Sequence, residues 1–356
     1  MLIPEDDYPL HQQPVPIGHV MNGHPNAYDR FWFNGYDENL FFAVALGLYP
    51  NRGVIDGAFS VVRDGVQRSV FASDALSGRP TAVGPVRIEI VEPLRVNRVV
   101  IDAPDEGLAA DLVYTRRTVA FEEQRQTMHD GPRVFMDVTR ATQMGTWSGW
   151  LETPEGRVEL RDGTYGTKDR SWGVRPIGEP LPGAPGVRAP QLCFWWAPLN
   201  FKDRAFHFTT FDAPDGRPLI RSAVVLPLDG SGEPQLFDGA LQPTPLAGTR
   251  RCAAASVAIG ADTITLEPLG VFHMRGAGYG HPEFGHGRWH GGLVIGGETL
   301  RTDEVDPLDY HHLHVQQIVR ACRGDEIGYG VLESLIVGPY EPLGVSGLLD
   351  GSVLVN

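Results

Sequence analysis

The chain has 356 residues, of which 42% are hydrophobic and 21% are charged, and its formal net charge is −14 at pH 7. This composition is that of a globular protein rather than a disordered one, and the length is typical of two domains. Because an acidic protein repels polyanions, the charge argues against general binding of nucleic acid or of an anionic membrane surface.

The first half of the chain has the pattern of a β-domain. Residues 1–30 are polar and aperiodic, which predicts an irregular arm. From residue 31 onward short apolar runs alternate with turn residues, and Asp64-Gly65 between two such runs favours a tight hairpin. Few segments show a helical period. Residues 31–178 are therefore predicted to form a mostly antiparallel β-domain.

The second half repeats this organisation. Residues 179–190 are rich in proline and glycine, which predicts a crossover between the halves. Residues 191–356 open with the aromatic triplet 194–196, like the triplet 31–33, and end in a hairpin predicted around Gly324. Eight to ten strands in each half would suit a closed or nearly closed barrel that can hold an apolar ligand.

Targeting signals and disulfides are not expected. The N-terminus lacks a basic region followed by an apolar one, and no window approaches eighteen consecutive apolar residues, so neither a secretory signal nor a membrane span is predicted. The three cysteines, Cys193, Cys252 and Cys322, are far apart and odd in number. This pattern favours buried free thiols in a reducing compartment, so a cytoplasmic location is expected.

The densest polar chemistry lies in residues 165–175, which place a phenol, cations, a carboxylate and an indole close together. Nearby cations would hold the Asp169 carboxylate ionised, as suits a proton acceptor. On a strand, however, Lys168 and Arg170 would both point away from Asp169 unless a turn or bulge intervened. The structural alternative is an ion-pair corner that ties the first barrel to the crossover.

A second polar segment follows in residues 279–290. It repeats the order Tyr-Gly, two residues, an acid, then an aromatic residue and Gly, which predicts a site at the junction of the two halves. A histidine or Glu283 here could transfer protons, since histidine titrates near neutrality. His281, His286 and His290 could instead bind a metal, but no helical His-Glu-x-x-His motif is present, so no metal and no cofactor are expected. Hydrogen bonding within a β-junction is the structural alternative for these histidines.

At Asp169-Arg170-Ser171-Trp172-Gly173 the chain resembles the double-lipocalin superfamily, which includes carotenoid 1,2-hydratases, kievitone hydratase and AttH-like proteins. Residues 32–37 and 278–290 are similar to an uncharacterised bacterial branch of that group. The resemblance covers roughly residues 30–350. It implies an all-β fold of two lipocalin-like antiparallel β-barrels or sandwiches in tandem, with a ligand in or between them. The activities it implies are cofactor-free: addition of water to an isolated alkene, or shaping of a polyene for cyclisation.

The chain departs from the hydratase pattern at several positions. The hydratase motif commonly reads His-Asp-His-Asn-Trp-Gly, so Lys168 and Arg170 stand where the histidines would be. A Tyr-x-Asp that follows in the hydratases corresponds at best to residues 210–212, without the tyrosine. The resemblance therefore fixes neither the substrate nor the direction of the reaction.

The main functional hypothesis is a cofactor-independent hydratase, dehydratase or isomerase for a lipophilic terpenoid- or steroid-like molecule held in a β-barrel cavity. The candidate proton-transfer residues are Asp169, Tyr165, His281 and Glu283. The candidate substrate-binding residues are Trp172, Arg170, Arg175, Trp196, Tyr279 and His286. Trp172 would steady developing positive charge, and Arg170 or Arg175 would anchor an oxygen or a carboxylate of the substrate.

The alternative hypothesis is a non-catalytic carrier or sensor of a lipophilic ligand, in which residues 165–175 are a structural clasp. In both cases the expected partner is a lipophilic small molecule, with neither nucleic acid nor membrane insertion, and a homodimer is left open. Fold supplies only an analogy for any of these functions, so the site has to decide between them.

Overall fold

The computed structural model describes residues 13–177, 191–228 and 231–353. It is nearly all β, with 60% of residues in strands, arranged as one half-barrel and one nearly closed barrel. The predicted all-β fold of two lipocalin-like units in tandem is thereby confirmed. Within the described ranges, no helix has the length and apolar character needed to cross a membrane.

Within the described residues, the first sheet has 14 strands. Thirteen come from the first half in chain order: β1 (Ala27–Tyr36), β2 (Phe41–Tyr49), β3 (Val54–Arg63), β4 (Val66–Ala75), β5 (Ala82–Val83), β6 (Val86–Glu92), β7 (Val96–Ala103), β8 (Leu108–Arg116), β9 (Phe121–Glu122), β10 (Gln126–Asp130), β11 (Arg133–Thr153), β12 (Gly156–Glu159) and β13 (Tyr165–Val174). The predicted hairpin turn between β3 and β4 is confirmed, since Asp64 and Gly65 both have positive φ, as a tight two-residue hairpin requires.

Within the described residues, the second sheet has nine strands. They are β14 (Leu192–Asn200), β15 (Arg204–Asp212), β16 (Pro218–Pro227), β17 (Gln235–Phe237), β18 (Gly239–Pro245), β19 (Cys252–Ile259), β20 (Asp262–His273), β22 (Val315–Arg323) and β23 (Glu326–Val337). The predicted final hairpin, formed by β22 and β23, is confirmed. Short 3₁₀ helices occur at Pro104–Glu106, Met274–Ala277, Tyr310–His312 and Glu341–Leu343.

The remaining strand, β21 (Val294–Arg301), crosses from the second half to the first sheet. It pairs antiparallel with β4 along its whole length. The residues before it also lie on the first half, where Ser60 Oγ donates to the Gly276 carbonyl at 2.7 Å and Gln67 Nε2 to the His273 carbonyl at 2.9 Å. The two halves are thus tied by strand pairing. The domain division at 178 and 190 stays a prediction, and the crossover 179–190 lies outside the described residues.

Three apolar layers follow from the alternation of side chains along each strand. Phe31 and Phe33 face a filled interior of the first barrel, and Trp195 faces a filled interior of the second. Their neighbours in sequence point to the opposite faces of the strands. Trp32, between the two phenylalanines, and Phe194, next to Trp195, pack together in a third cluster. The two predicted aromatic triplets therefore build the junction between the barrels as well as the barrel interiors.

Candidate functional site

A cavity of about 460 Å³ opens at this junction, a volume typical of small-molecule sites. We call it the junction cavity. Its apolar wall consists of Met136, Pro176, Ile177, Leu192, Phe194, Phe211, Pro282 and Leu335. Its polar wall consists of Arg140, Arg175, Tyr279, His281, His286, Arg288, Tyr310, His311, His314 and Glu333. Both halves of the chain contribute, and the cavity lies between the barrels rather than inside either of them.

At the base of the junction cavity, Arg140 joins two buried carboxyl groups. Its Nε lies 3.2 Å from Asp169 Oδ2 and its Nη1 lies 3.2 Å from Glu123 Oε2. Arg140 is on β11 and Asp169 on the neighbouring antiparallel β13, offset by two residues, so the two side chains lie on one face of the sheet. Buried charges need such partners, and together these three residues form what we call the ionic cluster.

Asp169 has the properties of a proton-transfer group. Burial raises the pKa of its carboxyl to about 6, although the Arg140 guanidinium opposes this shift. Within the described residues its Oδ1 atom is buried without a hydrogen-bond partner. The carboxyl lines a small space of about 20 Å³ together with Trp32 and Tyr279. Tyr279 also lines the junction cavity, so the two spaces are neighbours. An acid with a pKa near the working pH can both donate and accept a proton.

A second acid–base unit comes from the other half of the chain. His314 Nε2 lies 2.7 Å from Glu333 Oε1, and Gln316 Nε2 donates to Glu333 Oε2 at 2.6 Å. The amide of Asn34, on β1, donates to Gln316 Oε1 at 3.1 Å and thereby connects this unit to the first sheet. With Nε2–H given to the carboxylate, the His314 imidazole presents Nδ1 as a proton acceptor, as carboxylate-oriented histidines do in catalysis.

Tyr279 stands at the centre of the polar wall. The guanidinium groups of Arg30 and Arg175 lie 4.5 and 5.2 Å from its ring centroid, and the His314 ring is 4.7 Å away. Arg175 Nη2 donates to the Tyr279 hydroxyl at 3.4 Å. His286, 4.4 Å from the same ring, donates from Nε2 to the Ala277 carbonyl at 2.8 Å. Cation–π contacts of this kind hold the Tyr279 ring in place at the cavity wall.

Comparisons with known proteins place the chain by sequence and by fold. Residues 2–346 match the model of a family of unknown function, DUF8625. The chain belongs to this family. No curated protein matches it in sequence.

Two solved structures are similar to this DUF8625 protein in fold. One is an AttH-like protein from Nitrosomonas europaea, with 14% identity and a TM-score of 0.57 over 91% of this chain and 99% of the other. The second is kievitone hydratase from Nectria haematococca, with 11% identity and a TM-score of 0.46 over 86% and 88% of the two chains. The similarity to the Nitrosomonas europaea protein confirms the predicted fold of two lipocalin-like units.

The structure brings six of the ten predicted site residues to the junction. Asp169, Trp196 and Tyr279 line the small space, and Arg175, His281 and His286 line the junction cavity together with Tyr279. Trp196 Nε1 also donates to Glu123 Oε1 at 3.2 Å. The catalytic and binding roles of these residues stay predictions.

The other four predicted residues line neither the junction cavity nor the small space beside it. Arg170 occupies the opposite face of β13, where it pairs with Asp29 at 2.7 Å and stacks on Phe31. Trp172 shares that face, is 43% exposed, and lines a separate cavity with residues of the N-terminal arm. Tyr165 faces the junction but lies under the Arg117 guanidinium, and Glu283 is exposed outside the junction cavity.

The histidines of residues 281–290 do not converge. His281 Nδ1 accepts the backbone N–H groups of Glu283 and Phe284, and His286 is held by Ala277 and Arg30. Burial and the charge of Arg275 lower the pKa of His281 to about 4, so this imidazole is neutral at pH 7. Over the described ranges, no three His, Cys, Asp or Glu side chains are arranged to hold a metal ion.

Sequence reasoning missed Arg140, Glu123 and Glu333. Glu333 lies in β23 between the buried residues Leu332 and Ser334, and Arg140 lies on β11 between the half-buried residues Thr139 and Ala141. An isolated charge within a buried strand must find a partner, because an unpaired buried charge is costly. That rule was available from the sequence and would have marked Glu333 as a candidate, whereas Arg140 lies among the polar residues of β11.

Lys168 confirms that the neighbours of Asp169 point away from it, since its Nζ donates to Asn97 Oδ1 at 2.8 Å on the opposite face of β13. Burial, followed by the charge of Arg170, lowers the pKa of Lys168 from 10.5 to about 8. Between these two pKa values the unfolded chain binds more protons, so Lys168 makes wild-type stability rise with pH by up to about 3 kcal/mol.

We expect Lys168→Met to remove this pH dependence. The free energy of unfolding of the variant should exceed that of the wild type most strongly near pH 7. This difference should narrow as the pH rises from 7 to 10. Urea denaturation at several pH values measures this difference. Lys202→Met, which changes an exposed lysine, should leave it constant. A constant difference for Lys168→Met would show that the amine stays charged in the folded protein.

Proposed function

We propose that the junction cavity is the active site of a cofactor-independent hydratase, dehydratase or isomerase acting on a lipophilic, terpenoid- or steroid-like small molecule. The observation that carries this proposal is the Asp169 carboxyl, whose pKa is about 6 and whose buried Oδ1 has no hydrogen-bond partner among the described residues. It lines the small space that shares Phe194, Tyr279 and Glu333 with the junction cavity. Perturbed acids beside apolar cavities are typical of catalytic sites. Water exclusion by the apolar wall favours the same chemistry.

In the hydration direction, protonated Asp169 gives its proton to one alkene carbon, and positive charge develops on the adjacent carbon. The indole of Trp32, which lines the same small space as Asp169, stabilises this cation through its quadrupole. A water molecule then attacks the cation and loses a proton to His314 Nδ1, while Glu333 stabilises the imidazolium. Proton exchange with solvent restores both groups. Dehydration is the reverse, and isomerisation removes a proton from a different carbon of the same cation.

The proposal is tested by isotope incorporation. Lipophilic alkenes and tertiary alcohols of terpenoid or steroid type are incubated with the protein in D₂O or in ¹⁸O-labelled water and analysed by mass spectrometry. Enzyme-dependent deuterium or ¹⁸O incorporation would support the proposal, and its loss in Asp169→Asn would assign the proton to Asp169. Tight binding of such compounds with no isotope incorporation would instead favour a carrier or sensor.

The pH profile separates the two directions of catalysis. Hydration needs protonated Asp169, so kcat/KM should fall as the pH rises above about 6. Dehydration needs the carboxylate, so kcat/KM should fall as the pH drops below the same value. A profile without a limb near this pH would argue against Asp169 as the proton-transfer group.

A further inference from the structure

The polar wall of the junction cavity carries unbalanced positive charge. Three arginines line it, Arg140, Arg175 and Arg288, against the single carboxylate Glu333. Arg140 is neutralised by Asp169 and Glu123 in the ionic cluster. Among the described residues, no carboxylate lies within ion-pair distance of Arg175 or Arg288. In a chain of net charge −14, this local excess of cations indicates that the ligand of the cavity is an anion.

Arg175 has a fixed position and unused hydrogen-bond donors, both of which favour binding of an anion. Its guanidinium stands 4.6 Å from the ring centroid of Tyr28 and 5.2 Å from that of Tyr279. The contact with the Tyr279 hydroxyl at 3.4 Å uses one of its five N–H donors, and within the described residues the buried Nε has no partner. Stacking fixes the plane of the fork, and a fixed fork matches a carboxylate with two parallel hydrogen bonds.

Residues around Arg175 add to the positive electrostatic potential at the cavity wall. Arg30 lies against the same Tyr279 ring, and among the described residues its guanidinium hydrogen-bonds to a histidine nitrogen and a backbone carbonyl rather than to an acid. Asp56 is the acid that acts on both arginines through space, but its oxygens already accept from the Tyr49 hydroxyl and the Gly287 N–H. An anion in the junction cavity would therefore meet a positive wall whose donors are still available.

We infer that the junction cavity takes an amphipathic anion, a lipophilic molecule whose carboxylate binds Arg175 beside the Tyr279 hydroxyl. Its apolar body would lie along Phe194, Phe211 and Leu335. This inference rests on the proposed function and sharpens it to a lipophilic carboxylic acid. Arg175 follows Asp169 by six residues in sequence, just beyond the end of β13, so the carboxylate would anchor one end of the substrate and leave its other end toward Asp169.

The experiment uses N-phenylnaphthylamine, a neutral fluorescent probe of apolar cavities, with laurate and methyl laurate as competitors. Because a charge-assisted hydrogen bond outweighs a neutral one, laurate should displace the probe at a concentration roughly 10- to 100-fold lower than its ester. Arg175→Gln should bring the two competitors within about threefold of each other and leave displacement by the ester unchanged. Arg157→Gln, which changes an arginine on β12 whose side chain is 49% exposed, should keep the wild-type preference.

Equal displacement by acid and ester in the wild type would overturn the anion inference, and probe binding would still leave the proposed function standing. A preference that survives Arg175→Gln would overturn the assignment to Arg175. If the probe does not bind at all, the junction cavity is not a lipophilic site, and the proposed function fails together with the inference. Since the wild-type comparison is decisive alone, the test does not depend on how well the variant folds.

Discussion

Asp169→Asn is expected to lower turnover roughly a hundred- to ten-thousand-fold, the usual contribution of a general acid or base. Asparagine has the shape of the carboxyl but cannot exchange its proton with a substrate carbon. The same variant is expected to fold with at least wild-type stability at pH 7. A catalytic group and a structural clasp differ in this second property, because removal of a clasp lowers the melting temperature.

The stability argument follows from the direction of the pKa shift. The pKa of Asp169 is about 6 in the folded protein and 3.8 in the unfolded chain, so its favourable contribution is complete below pH 3.8 and is lost as the pH rises through 6. A shift of two units corresponds to about 3 kcal/mol, which is the upper limit of the gain at pH 7 from a neutral side chain. Arg140 keeps Glu123 as its partner in the variant.

Melting temperatures of the wild type and Asp169→Asn, measured between pH 4 and pH 8, test this expectation. The melting temperature of the variant should rise relative to that of the wild type as the pH rises through 6. Asp137→Asn is the matched control on β11, since its carboxylate pairs at the surface with Arg125, whose side chain is 66% exposed, and such pairs contribute little. If Asp169→Asn melts well below the wild type at pH 7, residues 165–175 are a clasp.

The fold was predictable because its signals are local. The hairpin at Asp64-Gly65 is read from a few neighbouring residues and appears in the structure. The alternation of side chains along β1 appears as well, since Phe31 and Phe33 lie in one apolar cluster and Trp32 lies in another. The same alternation also separates Asp169 from Lys168 and Arg170, as expected, and places Trp172 on the face away from the junction. That parity was available from the sequence before any role was given to Trp172.

The site was only partly predictable because it is built from distant contacts. Arg140 meets Asp169 through the register of two strands, and Glu333 arrives on the other sheet, so neither pairing can be read from spacing. The pairing of β21 with the first sheet is equally a distant contact. Its residues alternate in burial like any edge strand, and nothing in the sequence says that they pair with β4 of the first half.

Glu123→Ala is expected to have the largest effect on stability, a loss of about 3–5 kcal/mol, because it removes one of the two carboxylates that neutralise Arg140 and leaves the buried donors of Thr142 and Trp196 without their acceptor. Glu123 is fully buried and accepts hydrogen bonds from Thr142 at 2.5 Å and from Trp196 at 3.2 Å, while His207 Nε2 lies 3.2 Å away. Although burial favours the neutral acid, the charges of His207 and Arg140 hold the pKa of Glu123 well below its usual range. It therefore ties the first sheet to the second as a carboxylate.

Glu122→Ala is the matched control, since this neighbouring glutamate is exposed and its loss should change stability by no more than about 0.5 kcal/mol. Urea denaturation of the two variants measures the difference. Equal stabilities would mean that the ionic cluster contributes nothing to the docking of the two sheets.

Glu123→Gln connects this stability to function. The glutamine can still accept from Thr142 and Trp196, but Arg140 then has Asp169 as its only carboxylate partner within the ionic cluster. The Glu123 charge helps to raise the pKa of Asp169, so its removal should lower that pKa and move the pH limb of catalysis to more acidic values. A limb that stays at the wild-type pH would show that burial alone sets the acidity of Asp169, and that the ionic cluster serves only to hold the two halves together.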